Sequence, residues 1–167
     1  MSWDGVFVPL ADQDRTQWDR GLIEHGVVCL GASATGPALS RWHIEAGIAC
    51  EHALAPSVGE TRWAQIVTLY DALYALLPGP VVALNRALAV AELEGEAAGQ
   101  RALDAVRGDA RVVNYPFYWA AFADLARRRG DVTEALDHYE SAARVSRSRA
   151  ERVAYARKAA RLRDGDA

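Results

Sequence analysis

The sequence predicts an all-α protein built from antiparallel helix pairs. Three observations carry that expectation. Apolar residues recur at three- and four-residue intervals along most of the chain, alternating strand patterns are nearly absent, and short Gly- or Pro-marked breaks separate the periodic stretches. About eight helices fit the 167 residues. No linker rich in Gly, Ser or Pro divides them, so residues 1–167 read as a single domain.

The first helix is expected from about Gln13 to Leu30, ahead of GASATGP. Within LADQDRTQWDR, Asp12 is placed as the N-cap and Asp14 in the first turn, where carboxylates complement the positive end of the helix dipole. Arg15 with Asp19 and Arg20 with Glu24 are spaced for i,i+4 pairs, and Trp18 and Leu22 for the inner face. A second reading makes Gln13, Asp14 and Arg15 a polar contact with something packed ahead of this helix. The next helix runs from about Pro37 to Leu54.

TRWAQIVTLYDALYALLP is the clearest segment. Trp63, Ile66, Val67, Tyr70, Leu73, Tyr74 and Leu77 form one apolar stripe. Thr61 is placed as its N-cap, and SVGE has capping-box spacing one turn earlier. Pro78, Gly79 and Pro80 stop that helix, and Pro80 suits the first turn of VVALNRALAVAELEG, which ends at Gly95. A short helix covers Glu96 to Val106, followed by RGDARVVNYP as a connection. Pro116 opens FYWAAFADLARRR, Gly130 closes it, and VTEALDHYESAARV and RAERVAYARKAARLR complete the set.

An internal repeat underlies the last half. After Trp119, the residues Ala123, Gly130, Ala135, Tyr139 and Ala142 follow the offsets of a tetratricopeptide helix pair. Ala87, Gly99, Leu103 and Val106 reproduce the spacing of Ala123, Ala135, Tyr139 and Ala142, with Gly95 one position late. Small residues at these offsets let two helices approach, while large ones fill the seam between neighbouring pairs. The expected architecture is therefore a tetratricopeptide-like right-handed array, extrapolated to the helices before Pro78.

Little in the sequence speaks for chemistry. Net charge is −3 and the isoelectric point about 5.8, which does not advertise a nucleic-acid surface. The stretch from Arg144 onward is nonetheless basic, and reads as a solvated helix face, with an acidic partner or DNA as the alternative. Cys29 and Cys50 form no CxxC pair, no secretory signal is visible at MSWDG, and no run is long enough to span a bilayer. A cytoplasmic location is expected. None of His25, His43, His52 and His138 pairs with another at i,i+4, and no HExxH or Cys/His ligand spacing is read, so no metal and no cofactor are expected. Glu92 and Glu94 lie on opposite helix faces, and no phosphate loop or nucleophile elbow is present. No enzyme is expected. Tyr115, Phe117, Tyr118, Trp119 and Phe122 read as core. Asn85 and Arg86 interrupt an apolar helix, where Asn85 either bonds a neighbouring helix end or lines a concave groove that holds a peptide backbone.

Taken together, VPLADQDRTQWDRGLI, WHIEAGIACEHALAPS and ETRWAQIVTLYDALYALLPGPVVALNRALAVAELEG resemble the C-terminal extension of certain extracytoplasmic-function (ECF) sigma factors. In that group a helical, tetratricopeptide-like domain follows the two DNA-binding regions. The resemblance implies that Gln13, Asp14, Arg15, Trp18 and Asp19 mark where the extension begins. It also implies regulation of transcription initiation through contacts with the sigma core regions or RNA polymerase, without direct nucleic-acid contact by this domain and without a membrane. The regions that read the −10 and −35 promoter elements have no counterpart in this chain, which is then an excised domain or a stand-alone relative. Gln13, Asp14, Arg15, Asp19, Asn85 and Arg86 are the expected partner-binding residues. The rival expectation is a stand-alone tetratricopeptide adaptor that binds a peptide segment of a partner protein.

Overall fold

A computed structural model describes residues 8, 10–36 and 38–165. Eight α-helices follow one another: α1 (Arg20–Ser33), α2 (Arg41–Leu54), α3 (Trp63–Leu76), α4 (Pro80–Glu94), α5 (Glu96–Asp104), α6 (Pro116–Arg128), α7 (Val132–Val145) and α8 (Arg149–Asp164). No strand occurs among the described residues. Each helix packs chiefly on its neighbours in sequence, with one further contact between α4 and α6. That is the pattern of a helical array rather than of a bundle closed around one centre.

Local signals set the boundaries. Asp131 and Ser148 cap α7 and α8 through their side chains. Pro80 and Pro116 open α4 and α6, where a missing N–H costs nothing. Gly95, at φ +91°, ends α4 and starts α5 in one residue, and Gly130, at φ +82°, plays the matching part between α6 and α7. Only a residue without Cβ adopts such angles cheaply.

The core is three buried clusters in series. Ile44, Ile48, Ile66, Leu73 and Ala89 join α2, α3 and α4. Leu84, Ala87, Leu103, Phe122 and Leu125 join α4, α5 and α6. Ala123, Ala135, Tyr139 and Leu162 join α6, α7 and α8. All the repeat positions in Ala87, Gly99, Leu103, Val106, Ala123, Ala135, Tyr139 and Ala142 are buried. At Gly99 the two helices of a pair touch most closely: a Cβ there would lie 2.3 Å from Ala91 Cβ. The aromatic cluster is core as well. Tyr118 packs edge-on against Trp119 and Phe122, its hydroxyl accepts the Gly108 N–H at 2.9 Å, and Trp119 Nε1 donates to Val113 O at 2.8 Å. These bonds pin the 105–114 connection onto α6.

The first 20 residues depart from expectation. The helix foreseen from Gln13 begins only at Arg20 and runs to Ser33; Leu10–Asp12 and Arg15–Gln17 are short 3-10 turns instead. Its N-cap is Asp19, which accepts from Leu22 N at 3.0 Å, whereas Asp14 caps the second 3-10 turn through Thr16 N. Neither Arg15–Asp19 nor Arg20–Glu24 forms an ion pair among the described residues, because both arginines turn toward α2. Leu22 is 71% exposed rather than inward. In α2 the helix starts at Arg41, with the Ser40 backbone N–H and hydroxyl both meeting His43 Nδ1; the foreseen start at Pro37 lies outside the described residues. Arg62 rather than Thr61 precedes α3 as its N-cap, since Thr61 is buried and bonds Ser57 O.

Enlarging Gly99 tests the packing. Gly99→Ala gains helix propensity but forces α4 and α5 apart, so a net loss of about 1–3 kcal/mol is expected in urea unfolding. A raised unfolding midpoint would contradict the contact with Ala91.

Candidate functional site

The described residues contain a groove of about 420 Å³, bounded by the N-terminal turns at one end and by α6 and α8 at the other. Trp63, Tyr70, Leu88 and Phe117 give it apolar walls, and Asn85, Glu92, Asp124, Arg127, Arg128 and Lys158 place polar groups along it. Several charges are already engaged. Arg128 pairs with Glu92 and Glu96, so that α6 is tied to α4 and α5. Asp124 accepts the Tyr139 hydroxyl and pairs with Lys158 at 3.3 Å, tying α6 to α7 and α8. That carboxylate and burial together push the Tyr139 phenol well above its ordinary range, burial contributing most.

Arg15 closes the other end. It is 5% exposed, and its Nη1 lies 3.0 Å from His52 O, 3.0 Å from Ala55 O, 3.2 Å from Ser57 O and 3.4 Å from Thr61 Oγ1. Arg20 Nη1 adds a bond to Ala53 O at 3.3 Å. The last carbonyls of a helix have no partner within it and carry the negative end of its dipole. Two arginines from the preceding segment supply both the donors and the positive charge that the end of α2 lacks. Stacked against Trp18 at 5.3 Å, Arg15 thus fastens the Leu10–Trp18 turns to the α2–α3 connection, and Leu10, Asp12 and Arg15 become part of the groove wall.

The six residues singled out in the sequence part company here. Arg15 and Asn85 line the groove. The expected bond from Asn85 to a neighbouring helix end is not formed among the described residues. Arg86 reaches back to Asp71 of α3 and clamps two helices. Gln13 Nε2 donates to Val8 O at 3.0 Å, Asp14 holds Thr16 and Gln17, and Asp19 caps α1, so these three organise the local turns. His52 and Trp63, which sequence reasoning left aside, both line the groove and meet edge-on at 5.4 Å. Among the described residues, His52 Nδ1 is buried without a partner. Their roles were hidden because a histidine and a tryptophan at helix ends look like ordinary seam residues. Although no Cys/His spacing is read in the sequence, a helical i,i+4 pair joins a histidine to a cysteine: His25 Nε2 and Cys29 Sγ are 3.6 Å apart on α1.

Two measurements follow from this geometry. Arg15→Ala leaves carbonyls at the end of α2 without their donor and should cost about 2–4 kcal/mol, with faster amide exchange over 10–18; slow exchange there would show that other contacts hold the segment. The pH response has a definite sign. Burial, then the Arg15 charge, lowers the His52 pKa below the ordinary 6.5 against an opposing pull from Glu51. Burial likewise lowers His138, with Glu134 opposing. The unfolded chain then binds these protons more readily than the folded one. Their contribution is intact above about pH 6.5 and is lost as pH falls through the lowered values. The urea midpoint should drop from about pH 7.5 to about pH 5.5, and His52→Gln should flatten part of that slope.

No family model matches the sequence, and no solved structure matches it. The chain is similar to an uncharacterized protein of Rhizobium meliloti (strain 1021), with 33% identity over 154 residues. The match takes in 92% of this chain and 36% of that protein, so the chain spans about a third of the length of the curated relative it matches.

Proposed function

We propose that this chain is the regulatory protein-interaction domain of an ECF-type RNA polymerase sigma factor, acting through contacts with the sigma core regions or with RNA polymerase. One observation carries the reading. The QDR-W-D stretch, which resembles the start of the extension in that group, is folded onto the array by Arg15, and Arg15 with the preceding Leu10 and Asp12 forms one end of the groove. On this reading a region joined ahead of the chain acts near the groove, and its arrangement responds to whatever occupies the groove. Regulation then needs no catalysis, only a difference in affinity between two arrangements of the sigma regions. That no helix among the described residues is long and apolar enough to cross a membrane agrees with this role.

A stand-alone adaptor is the second reading, favoured by the groove itself. Asn85, on a lining that also holds Tyr70 and Leu88, suits a peptide backbone running past apolar side chains.

Mixing the chain with the separately produced −10- and −35-reading regions of the sigma factor that carries it tests the first reading. Titration calorimetry should detect a complex of micromolar order, weakened by Arg15→Ala, and deleting the domain should change transcription by RNA polymerase in vitro. No complex together with unchanged transcription would rule the reading out. Capture of an extended peptide that Asn85→Ala releases would favour the adaptor.

A further inference from the structure

We propose that α1 is a zinc-dependent dimerisation helix, in which His25 and Cys29 from two copies of the chain complete one Cys2His2 site. The starting point is what α1 leaves uncovered. It contains no buried residue. Ile23, Val27 and Leu30 form a half-buried inner seam, while the remaining side of the helix faces solvent. Leu22 at 71% and Val28 at 68% are the two most exposed large hydrophobic residues among those described. The outward strip of Gly21, Leu22, His25, Val28, Cys29 and Ala32 carries no formally charged side chain. At the other end of the array, α8 turns Arg149, Arg157 and Arg161 to solvent. Stacked helical arrays need a polar outer face on their terminal units. The α8 end has it, whereas on α1 the exposed Arg20 and Glu24 lie beside the strip and leave the strip itself uncharged.

The same uncharged strip holds the His25–Cys29 pair, with Nε2 and Sγ 3.6 Å apart. A tetrahedral zinc bonded to nitrogen at about 2.0–2.1 Å and to sulfur at about 2.3 Å keeps those atoms about 3.6 Å apart. The pair is therefore already spaced as half a site. The described residues of one chain do not finish it, for no group of three or more His, Cys, Asp or Glu residues is placed to hold a metal among them. A twofold axis can. His25 and Cys29 are centred on the level of Val27, close to the middle of α1 (Arg20–Ser33). Two α1 helices crossing antiparallel at their midpoints bring both pairs to one point, and set Leu22 opposite the small Ala32 of the second copy.

Charge and proton count agree with that arrangement. Each Cys29 thiol gives up its proton when its sulfur binds, each His25 binds as a neutral imidazole, and two thiolates balance the 2+ ion. The completed site is neutral, as its uncharged surroundings require. Imidazole with thiolate in a tetrahedron also suits zinc over harder divalent ions. A single pair of 14-residue helices is a small interface beside the about 800 Å² per partner of a standard complex, so the metal holds the two copies together.

The test uses the 167-residue chain kept reduced with a phosphine, with and without zinc. Light scattering should show the mass doubling on zinc addition, with one metal per two chains, and cobalt should give the intense visible bands of a thiolate-bound tetrahedral ion. His25→Ala and Cys29→Ser, both at exposed positions, should each abolish the mass change and the bands while leaving helical circular dichroism intact. Absence of metal binding would overturn the proposal. So would zinc held without a change in mass, or a dimer that forms without metal or survives Cys29→Ser.

Discussion

Each helix in this protein buries its apolar side chiefly against its neighbours in sequence, and that constraint governs the rest. Helices of 9 to 16 residues are marginal alone in water, so every one depends on the seam it shares with the next. The seams work because small residues sit where backbones must approach and large ones where pairs must interlock. Ala91 against Gly99 is the first kind. Tyr139 and Phe122, almost fully buried in adjacent clusters, are the second. A fully buried aromatic side chain of this kind contributes about 1.5–3 kcal/mol, and the series of clusters lets such contributions accumulate along the array.

Neighbour-only packing leaves the beginning of the array weakly held, and Arg15 addresses this. A guanidinium excluded from water is tolerable only where acceptors replace its hydration. The end of α2 offers them, because its terminal carbonyls lack donors of their own. Each side removes the other's deficit, and neither would be stable buried alone. The bond joins residues 37 to 46 positions apart, so it turns a flanking segment into part of the folded body. The groove exists in its present form because that segment walls one end while ion pairs from Arg128 and Lys158 fix the other.

Much of this was legible in the sequence, and what was not has a common cause. The helices from α3 onward follow from periodicity and from Pro and Gly punctuation, since both are local. The buried repeat positions follow from spacing alone, as the burial of Ala87, Leu103, Ala123 and Tyr139 demonstrates. Arg15 could not be read that way. Local rules place it beside Asp19 on a helix face, yet its acceptors come from a connection 40 residues later, and tertiary geometry overrode the propensity of Gln13 to Asp19 to join the helix. Asn85 and Arg86 are adjacent and looked alike as polar interruptions; one helical step of about 100° sends the first into the groove and the second to Asp71. The His25–Cys29 pair was present as an i,i+4 spacing, but it matches none of the familiar zinc-site spacings, and no Cys/His spacing was read there.

The two ends of the array differ in kind, and the difference bears on how the protein meets others. At α8, Arg163 pairs with Glu140 and Arg152 donates to Ser146 O and Arg147 O, so part of the basic stretch stitches the last helix down while the remainder hydrates it. At α1, Arg20 donates to Ala53 O, but the outward strip through Leu22, His25, Val28 and Cys29 is uncharged. An array extended by stacking has to stop somewhere, and a charged last helix stops it. An apolar first helix invites continuation, by another copy of itself or by a region joined ahead of it. The groove takes Lys158 from α8 but no residue of α1, so the association proposed for α1 and the recognition proposed for the groove do not compete for the same residues.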